Sequence, residues 1–367
     1  MKELSTSKIL FVDLESPRGH KDVACFFIKN VFPHFNAKYF LLERYLYEEI
    51  VREYGLRIDE YTYFFSSSAG EDKRMNRASV WLHFIKKLRF ILKFMEKEQI
   101  EIVYFMSYDT VSFSLLYRQF LRYHVILLNH DNLARFVKNV FRRFILRRLH
   151  SFNHVIYSSA FEGFLKRYLK EKMRFDRVFF IDYQINDREN LNSKEYSPKS
   201  VYLLAPSAST DPSKILRLLH SAKSDRIRIK AKVVDDFYRK YSSTFKGNLF
   251  TGFLAKESFE RLMEESDFIL LLYPRDYRFR VSGLLFDAVS FEKPVITDNE
   301  FIYEGWIRES GIGIFVNNPE EIEDAVLGMD EGLYNQYIKN IRRFKGRFTS
   351  AGIGRTIARQ VEEICEK

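Results

Sequence analysis

Residues 267–298 read DFILLLYPRDYRFRVSGLLFDAVSFEKPVITD. Residues 268–272 form a short unbroken apolar run, the pattern of a strand buried on both faces. Residues 273–280 read as a loop. Ser282 and Gly283 then open a helix that reaches about Phe291, since serine is a favoured N-cap. Lys293 and Pro294 launch the next strand. Strand, loop, helix and strand in that order make a βαβ unit, and they predict a parallel sheet.

The same rhythm extends outward on both sides. Upstream, strands are expected at residues 9–14, 102–106, 125–128, 155–157 and 178–181, with helix-like stretches between them such as 81–98. Downstream they recur at 201–204, 227–234, 249–251, 268–272 and 294–297. Between the two series lies a polar, turn-rich stretch holding Asn186, Asp187, Asn190, Asn192, Ser193, Ser197 and Pro198. The expected class is therefore α/β, with a Rossmann-like domain at 1–185, a linker at 186–199 and a second Rossmann-like domain at 200–345. A C-terminal helix at 346–367 is expected to pack back toward the first domain. Ligands of open parallel sheets bind beyond the carboxyl ends of the strands, so the two sheets are expected to face a central cleft that holds the site.

A chain of 367 residues, 46% hydrophobic and 29% charged, has ample core for two domains and is not a disordered polymer. Its two cysteines, Cys25 and Cys365, offer neither metal-ligand spacing nor a disulfide framework, which suits a reducing cytoplasm. The first residues lack the apolar core of a signal peptide, and no apolar run reaches the roughly 18 residues a membrane span needs. The expected location is cytoplasmic or peripheral on the inner membrane face. The net charge of +10 calls for an anionic partner: nucleic acid, anionic lipid or a phosphorylated substrate.

The helix start at Ser282-Gly283 leaves amide groups unpaired, lets an anion approach closely, and adds the attraction of the helix dipole. Arg278 and Arg280 stand just upstream with forked donors suited to phosphate. Asp287 follows Gly283 by four residues, about one turn, where a carboxylate can accept hydrogen bonds from a ribose diol. Together they describe a nucleotide-diphosphate pocket. A Ser-Gly helix start is also common in Rossmann-like domains that bind nothing there.

This segment resembles the donor-binding signature of retaining GT-B glycosyltransferases, above all the family 4 type. Phe286-Asp287-Ala288-Val289 and Glu292-Lys293-Pro294-Val295-Ile296 match the second half of that signature, in which a G-x-P-V-I strand follows the helix. The resemblance implies that Asp287 binds the ribose of a sugar nucleotide. Where the family carries its first acidic residue this chain has Arg280, which leaves retention or inversion open. The R-x-S-G variant looks like a subset of capsule and cell-surface polysaccharide transferases. The likeness continues upstream, where Gly252, Phe253 and Leu254 would place backbone groups against the nucleobase. Lys214 is the one candidate for the family's basic grip on the diphosphate. By this resemblance the chain moves a sugar from a UDP or GDP sugar to a saccharide or lipid-linked acceptor.

In the first half, Gly19 and His20 lie in the loop after the first strand, and the resemblance to GT-B enzymes implies that this loop touches donor phosphate or acceptor; a plain tight turn is the alternative. His130 and Asp131 follow the strand at 125–128 and are similar to the His-Asp pair of family 4 enzymes, while Asp131 or Asn132 would equally serve as a helix N-cap. Asp109 ends the preceding strand and is the other carboxylate able to act as a general base. No D-x-D pair and no His/Cys cluster occur, so no metal and no cofactor are expected, and arginine, lysine and a helix N-terminus must neutralise the diphosphate.

Positive charge gathers in two amphipathic stretches. In 134–149, Phe136, Val137, Val140, Phe141 and Phe144 form a stripe with Arg135, Lys138 and Arg142 roughly opposite. In 81–97, a core stripe of Trp81, Phe84, Ile85, Leu88, Leu92 and Met95 is expected, with Phe90 and Phe94 on the far side beside Lys86, Lys87 and Lys93. Aromatics among lysines suit an anionic membrane surface; a solvated basic face is the alternative. Two other functions fit parts of the chain: a GT-B sugar-nucleotide epimerase or hydrolase, and a basic nucleic-acid-binding protein. The second lacks a visible stacking platform, and no nucleic-acid partner is expected.

Overall fold

The computed structural model describes residues 8–14, 21–65, 77–129, 140–169, 174–182, 185, 196–252, 254–275, 277, 280–298 and 303–366. The chain divides into two compact units, Met1–Asp182 with Ser350–Lys367, and Tyr183–Thr349.

The first unit is built on a seven-stranded sheet in the order β3-β2-β1-β4-β5-β6-β7. Its strands are β1 (Ile9–Asp13), β2 (Lys38–Leu42), β3 (Thr62–Phe64), β4 (Ile102–Ser107), β5 (His124–Asn129), β6 (Asn153–Tyr157) and β7 (Val178–Ile181). Every neighbouring pair runs parallel. The ILFVD of β1 and the IVYFMS of β4 are buried at every position, as strands covered on both faces must be. Helices α1 (Lys21–Phe26), continued by a π-helical turn at Phe27–Val31, and α2 (Arg44–Tyr54) serve the crossovers from β1 to β2 and from β2 to β3. Helices α3 (Arg77–Glu98), α4 (Thr110–Phe120), α5 (Val140–Leu149) and α6 (Glu162–Leu169) serve the crossovers from β3 onward. Right-handed crossovers running the opposite way along the sheet put this second set on the opposite face.

The second unit has a six-stranded parallel sheet in the order β10-β9-β8-β11-β12-β13. Its strands are β8 (Val201–Ala205), β9 (Ile227–Lys232), β10 (Leu249–Phe250), β11 (Phe268–Leu271), β12 (Val295–Asp298) and β13 (Gly313–Val316). Its helices are α7 (Pro212–Ser221), α8 (Asp235–Tyr241), α9 (Lys256–Glu265), α10 (Gly283–Ser290), α11 (Glu304–Ser310), α12 (Ile322–Leu327) and α13 (Glu331–Lys345). Of the expected linker, residues 186–195 lie outside the described residues. Tyr196 packs into the core of the second unit, stacked on Tyr334 with ring centroids 4.2 Å apart.

After α13 the chain returns to the first unit as α14 (Ser350–Cys365), where Gln360 donates to the Phe180 carbonyl at 2.9 Å. Gly354 permits this docking: a Cβ there would stand 2.0 Å from the Asn30 carbonyl oxygen on the π-helical turn.

All ten expected strands are present, and β2, β3 and β13 were not foreseen. Missing β2 and β3 misplaced part of α3. Phe94 is buried, not exposed, because the overlooked strands extend the sheet beneath it and supply Tyr39 and Tyr63 as ring partners at 5.8 and 4.6 Å. Lys87 is buried too, held by Glu43 at 2.5 Å and by the Leu14 carbonyl at 3.0 Å. Trp81, expected in the core stripe, is exposed in the first turns of α3. In α5 the buried face is Ile145, Leu146 and Leu149, and the expected stripe residues Phe141 and Phe144 point outward. Of the rest of that stripe, Phe136, Val137 and the Val140 side chain lie outside the described residues.

Candidate functional site

In an open parallel sheet the crevice for a ligand opens where neighbouring strands send their connections to opposite faces. The strand order places that switch between β8 and β11 in the second unit and between β1 and β4 in the first.

At the β8/β11 switch, Asp211 caps α7: its Oδ1 accepts from the Ser213 amide at 2.9 Å, and Pro212 follows at the first helical position. The Asp211 amide donates to the Leu272 carbonyl at 2.7 Å, which ties the helix start to the end of β11. Lys214 sits in the first turn of α7. Its ammonium donates to the Tyr273 carbonyl at 2.7 Å and to Asp298 Oδ2 at 2.5 Å. One nearly buried cation thus joins α7, the loop after β11 and the carboxyl end of β12.

The loop after β11 is anchored by a tyrosine pair. Tyr273 and Tyr277 stack with centroids 4.0 Å apart and planes 12° from parallel. The Tyr273 hydroxyl bonds the Ser282 hydroxyl at 2.8 Å, and Ser282 Oγ also accepts from the Leu285 amide at 3.3 Å as the N-cap of α10. Burial above all, with Tyr277 and Asp287 nearby, pushes the Tyr273 phenol well above its usual range, so the ring stays neutral. Arg280 is exposed, its guanidinium 5.8 Å from the centre of the Tyr277 ring. Gly283 and Asp287 are both half-buried on α10, one turn apart.

Lys214, Arg280, Ser282, Gly283 and Asp287 therefore lie on the α7 start, the β11 loop and α10 around one switch point. Gly252 and Leu254 do not share it. They follow β10, at the far edge of the sheet, where Gly252 takes a φ of +85° in open space. Phe253 and Arg278 lie outside the described residues. After α10 the chain turns through Glu292 at a φ of +55°, with its carboxylate bonded to Arg342 at 2.8 Å. This is the position where the resembled signature has glycine, the residue that takes a positive φ at least cost.

At the β1/β4 switch, Ser107 donates its hydroxyl to Asp13 Oδ1, and both side chains are buried. Asp109 caps α4, its Oδ1 accepting from the Ser112 amide at 2.7 Å. Behind them runs a buried polar chain: the Tyr108 hydroxyl donates to Asn129 Oδ1 at 2.8 Å, and the Asn129 amide meets His154 Nδ1 at 3.3 Å. His154 Nε2 stands 2.9 Å from the Leu149 carbonyl. A carbonyl only accepts, so Nε2 carries the proton and Nδ1 receives from Asn129. Burial pushes this imidazole down to about 4. The chain holds the carboxyl end of β5, directly before His130. Gly19, His20, His130 and Asp131 lie outside the described residues.

The sequence reading passed over Asp13, Asp298 and Tyr273. The first two had a signal, since each is an acid that closes an apolar strand, ILFVD and VITD. Tyr273 differs in nothing from other aromatics that end a buried run. Among the described residues no group of three or more His, Cys, Asp or Glu side chains is placed to hold a metal ion.

Residues 289–360 match the family described as glucosyltransferase 3-like, C-terminal domain. No curated protein sequence matches the chain. Several solved structures match it nearly end to end. Anabaena HepE, solved in complex with UDP, has a TM-score of 0.69 at 13% identity over 97% of this chain and 100% of its own. Sucrose-phosphate synthase from Thermosynechococcus elongatus has a TM-score of 0.73 at 10% identity over 98% and 100%. A glycosyltransferase from Rickettsia africae has a TM-score of 0.65 at 13% identity over 99% of each. The chain has the GT-B fold of these structures.

Proposed function

We propose that the chain is a glycosyltransferase of the family 4 type that takes its sugar from a nucleotide-diphosphate donor seated at the β8/β11 switch. The observation that carries this reading is the α10 start. Tyr273 and the cap hold Ser282 rigid, the helix N-terminus offers amide groups and its dipole to an anion, and Arg280 stands beside it. Asp287 receives the ribose diol. Lys214 acts mainly through the loop that it ties down. The diphosphate is neutralised without a metal, and uridine is the favoured base because HepE is solved with UDP and with UDP-glucose. The acceptor is a saccharide or a lipid-linked sugar in cell-surface glycan synthesis, with Asp109, His130 and Asp131 as candidates for its orientation and deprotonation.

Thermal unfolding of the full chain with UDP, GDP, CDP and TDP sugars, with and without a chelator, tests this. A donor at about a hundred times its Kd adds about 2.7 kcal/mol to the stability of its unit. A raised midpoint with a UDP sugar, retained in chelator and lost in Asp287→Ala, is the expected result. No shift with any nucleotide overturns the reading, and loss of the shift in chelator overturns its metal independence.

A further inference from the structure

The outer face formed by α3, α4 and α5 carries exposed apolar and basic side chains together. These three helices each return between parallel strands, so they run in the same direction, and α4 contacts both of the others. Leu82 on α3, Leu115 on α4, and Phe141 and Phe144 on α5 are 52–62% exposed, with half-exposed Trp81 beside Leu82. Trp81, Leu82, Phe141 and Phe144 lie in the first halves of their helices, Leu115 sits at the middle of α4, and Leu121, 51% exposed, follows its end. Exposed basic residues stand on the same helices: Arg89 and Lys93 on α3, Arg118 and then Arg122 on and after α4, and Arg147 and Arg148 on α5.

Spacing makes this one continuous surface. Leu82, Arg89, Lys93 and Glu96 fall on one stripe of α3, and Leu115 and Arg118 fall on one stripe of α4, with Arg122 just past its end. Between these stripes runs a groove of about 540 Å³ lined by Arg89, Lys93, Arg118 and Arg122, with Glu96 as its one acid. At 1.5 Å per residue, Arg89 stands about 10 Å along the axis from Leu82. A bilayer interface has matching layers, since apolar groups enter about 5–10 Å beneath the headgroups while cations stay among the phosphates.

We propose that this face docks the protein on an anionic lipid bilayer, its exposed apolar side chains inserted and the α3/α4 groove holding headgroup phosphates. The surface differs from one centred on Phe90 and Phe94, since Phe94 is buried. No helix of the described residues is long and apolar enough to cross a membrane, so the contact lies on the bilayer surface. The inference stands apart from the transferase reading, because lipid binding is measured without any nucleotide.

The experiment is flotation of the full chain with vesicles of phosphatidylcholine alone or mixed with phosphatidylglycerol. Binding to the mixed vesicles only, reversed by salt, is expected. Arg118→Gln with Arg122→Gln should weaken it about thirtyfold, roughly fivefold per cation. Phe141→Ser with Phe144→Ser should weaken it at least about tenfold. These side chains are exposed, so the unfolding midpoint of each variant should match the parent, and Leu115→Ser is a third probe should either pair fail to fold. Equal binding to both vesicle types, or variants that bind like the parent, overturns the proposal. So does a dimer in light scattering that Phe141→Ser with Phe144→Ser dissociates, which assigns the face to a second copy of the chain. RNA binding lost in the arginine pair, without vesicle binding, assigns it to nucleic acid instead.

Discussion

Replacing Lys214 with methionine separates two roles for the only ammonium that bridges three elements of the candidate site among the described residues. Methionine keeps most of the length of the side chain and removes the charge. The Lys214 and Asp298 side chains are 13% and 7% exposed, so the variant leaves a nearly buried carboxylate without this cation. Breaking a buried pair on one side costs about 3–5 kcal/mol, and the residual exposure of Lys214 points to the lower end, about 3 kcal/mol. For a unit of this size each kcal/mol moves the midpoint by about 2–4 °C, so the second unit should melt about 6–12 °C earlier. Differential scanning calorimetry measures this directly. Adding Asp298→Leu to Lys214→Met removes the buried carboxylate as well and should recover most of the loss, since an apolar pair replaces an ionic one at little cost. A Lys214→Met variant that melts with the parent yet binds UDP more weakly would refute the tether and make Lys214 a phosphate ligand.

Glu292→Gly should be more stable than Glu292→Ala by about 1 kcal/mol in urea unfolding, because both lose the exposed Arg342 bond and only alanine keeps the strain of a positive φ. Gly354→Ala should destabilise the first unit by about 2 kcal/mol or more, read by the same assay, since its Cβ would meet the Asn30 backbone rather than a side chain that could move. His154 is held at about 4 against an ordinary 6.5, so the unfolded chain takes up this proton first as pH falls. Its contribution is complete above pH 6.5 and is lost progressively toward pH 4, with about 2 kcal/mol gone at pH 5. Urea midpoints at pH 7 and pH 5 should therefore converge in His154→Gln relative to the parent.

The parts of the fold legible in the chain are those where one local rule acts alone. β4 and β11 are uninterrupted apolar runs because both faces are covered, and a run with no exposed position has few other readings. β2 fails that condition. Its KYFLL leads through the single residue Glu43 into α2, with no glycine or proline to mark the boundary. β3 is three residues at a sheet edge and β13 is a four-residue edge strand opened by a glycine, so neither is long enough to stand out. Once β2 and β3 were missing, the burial of Phe94 and Lys87 could not be read from helical spacing. Likewise the cap and glycine of α10 are local and legible, whereas the Asp298 partner of Lys214 lies 84 residues away and only the parallel order β8-β11-β12 brings it near.

The environment of Ser282 also decides how α10 can hold an anion. A serine at a helix start suggests a hydroxyl donated to phosphate, but this hydroxyl is buried between the Tyr273 phenol and the Leu285 amide. The phenol stays neutral and the amide can only donate, so Ser282 Oγ is held from two sides within the protein. What the helix start can present outward is the amide groups of Gly283 and Leu284, which have no partner inside the helix, together with the dipole. That arrangement recognises charge and close approach rather than a particular oxygen. On the proposed reading Gly283 matters there for its missing side chain, and the exposed Arg280 supplies the charge. Gly283→Val should therefore weaken nucleotide binding more than Ser282→Gly, which keeps the backbone path and loses a cap worth only a few tenths of a kcal/mol against glycine. The reverse order in a UDP titration would return the contact to the hydroxyl.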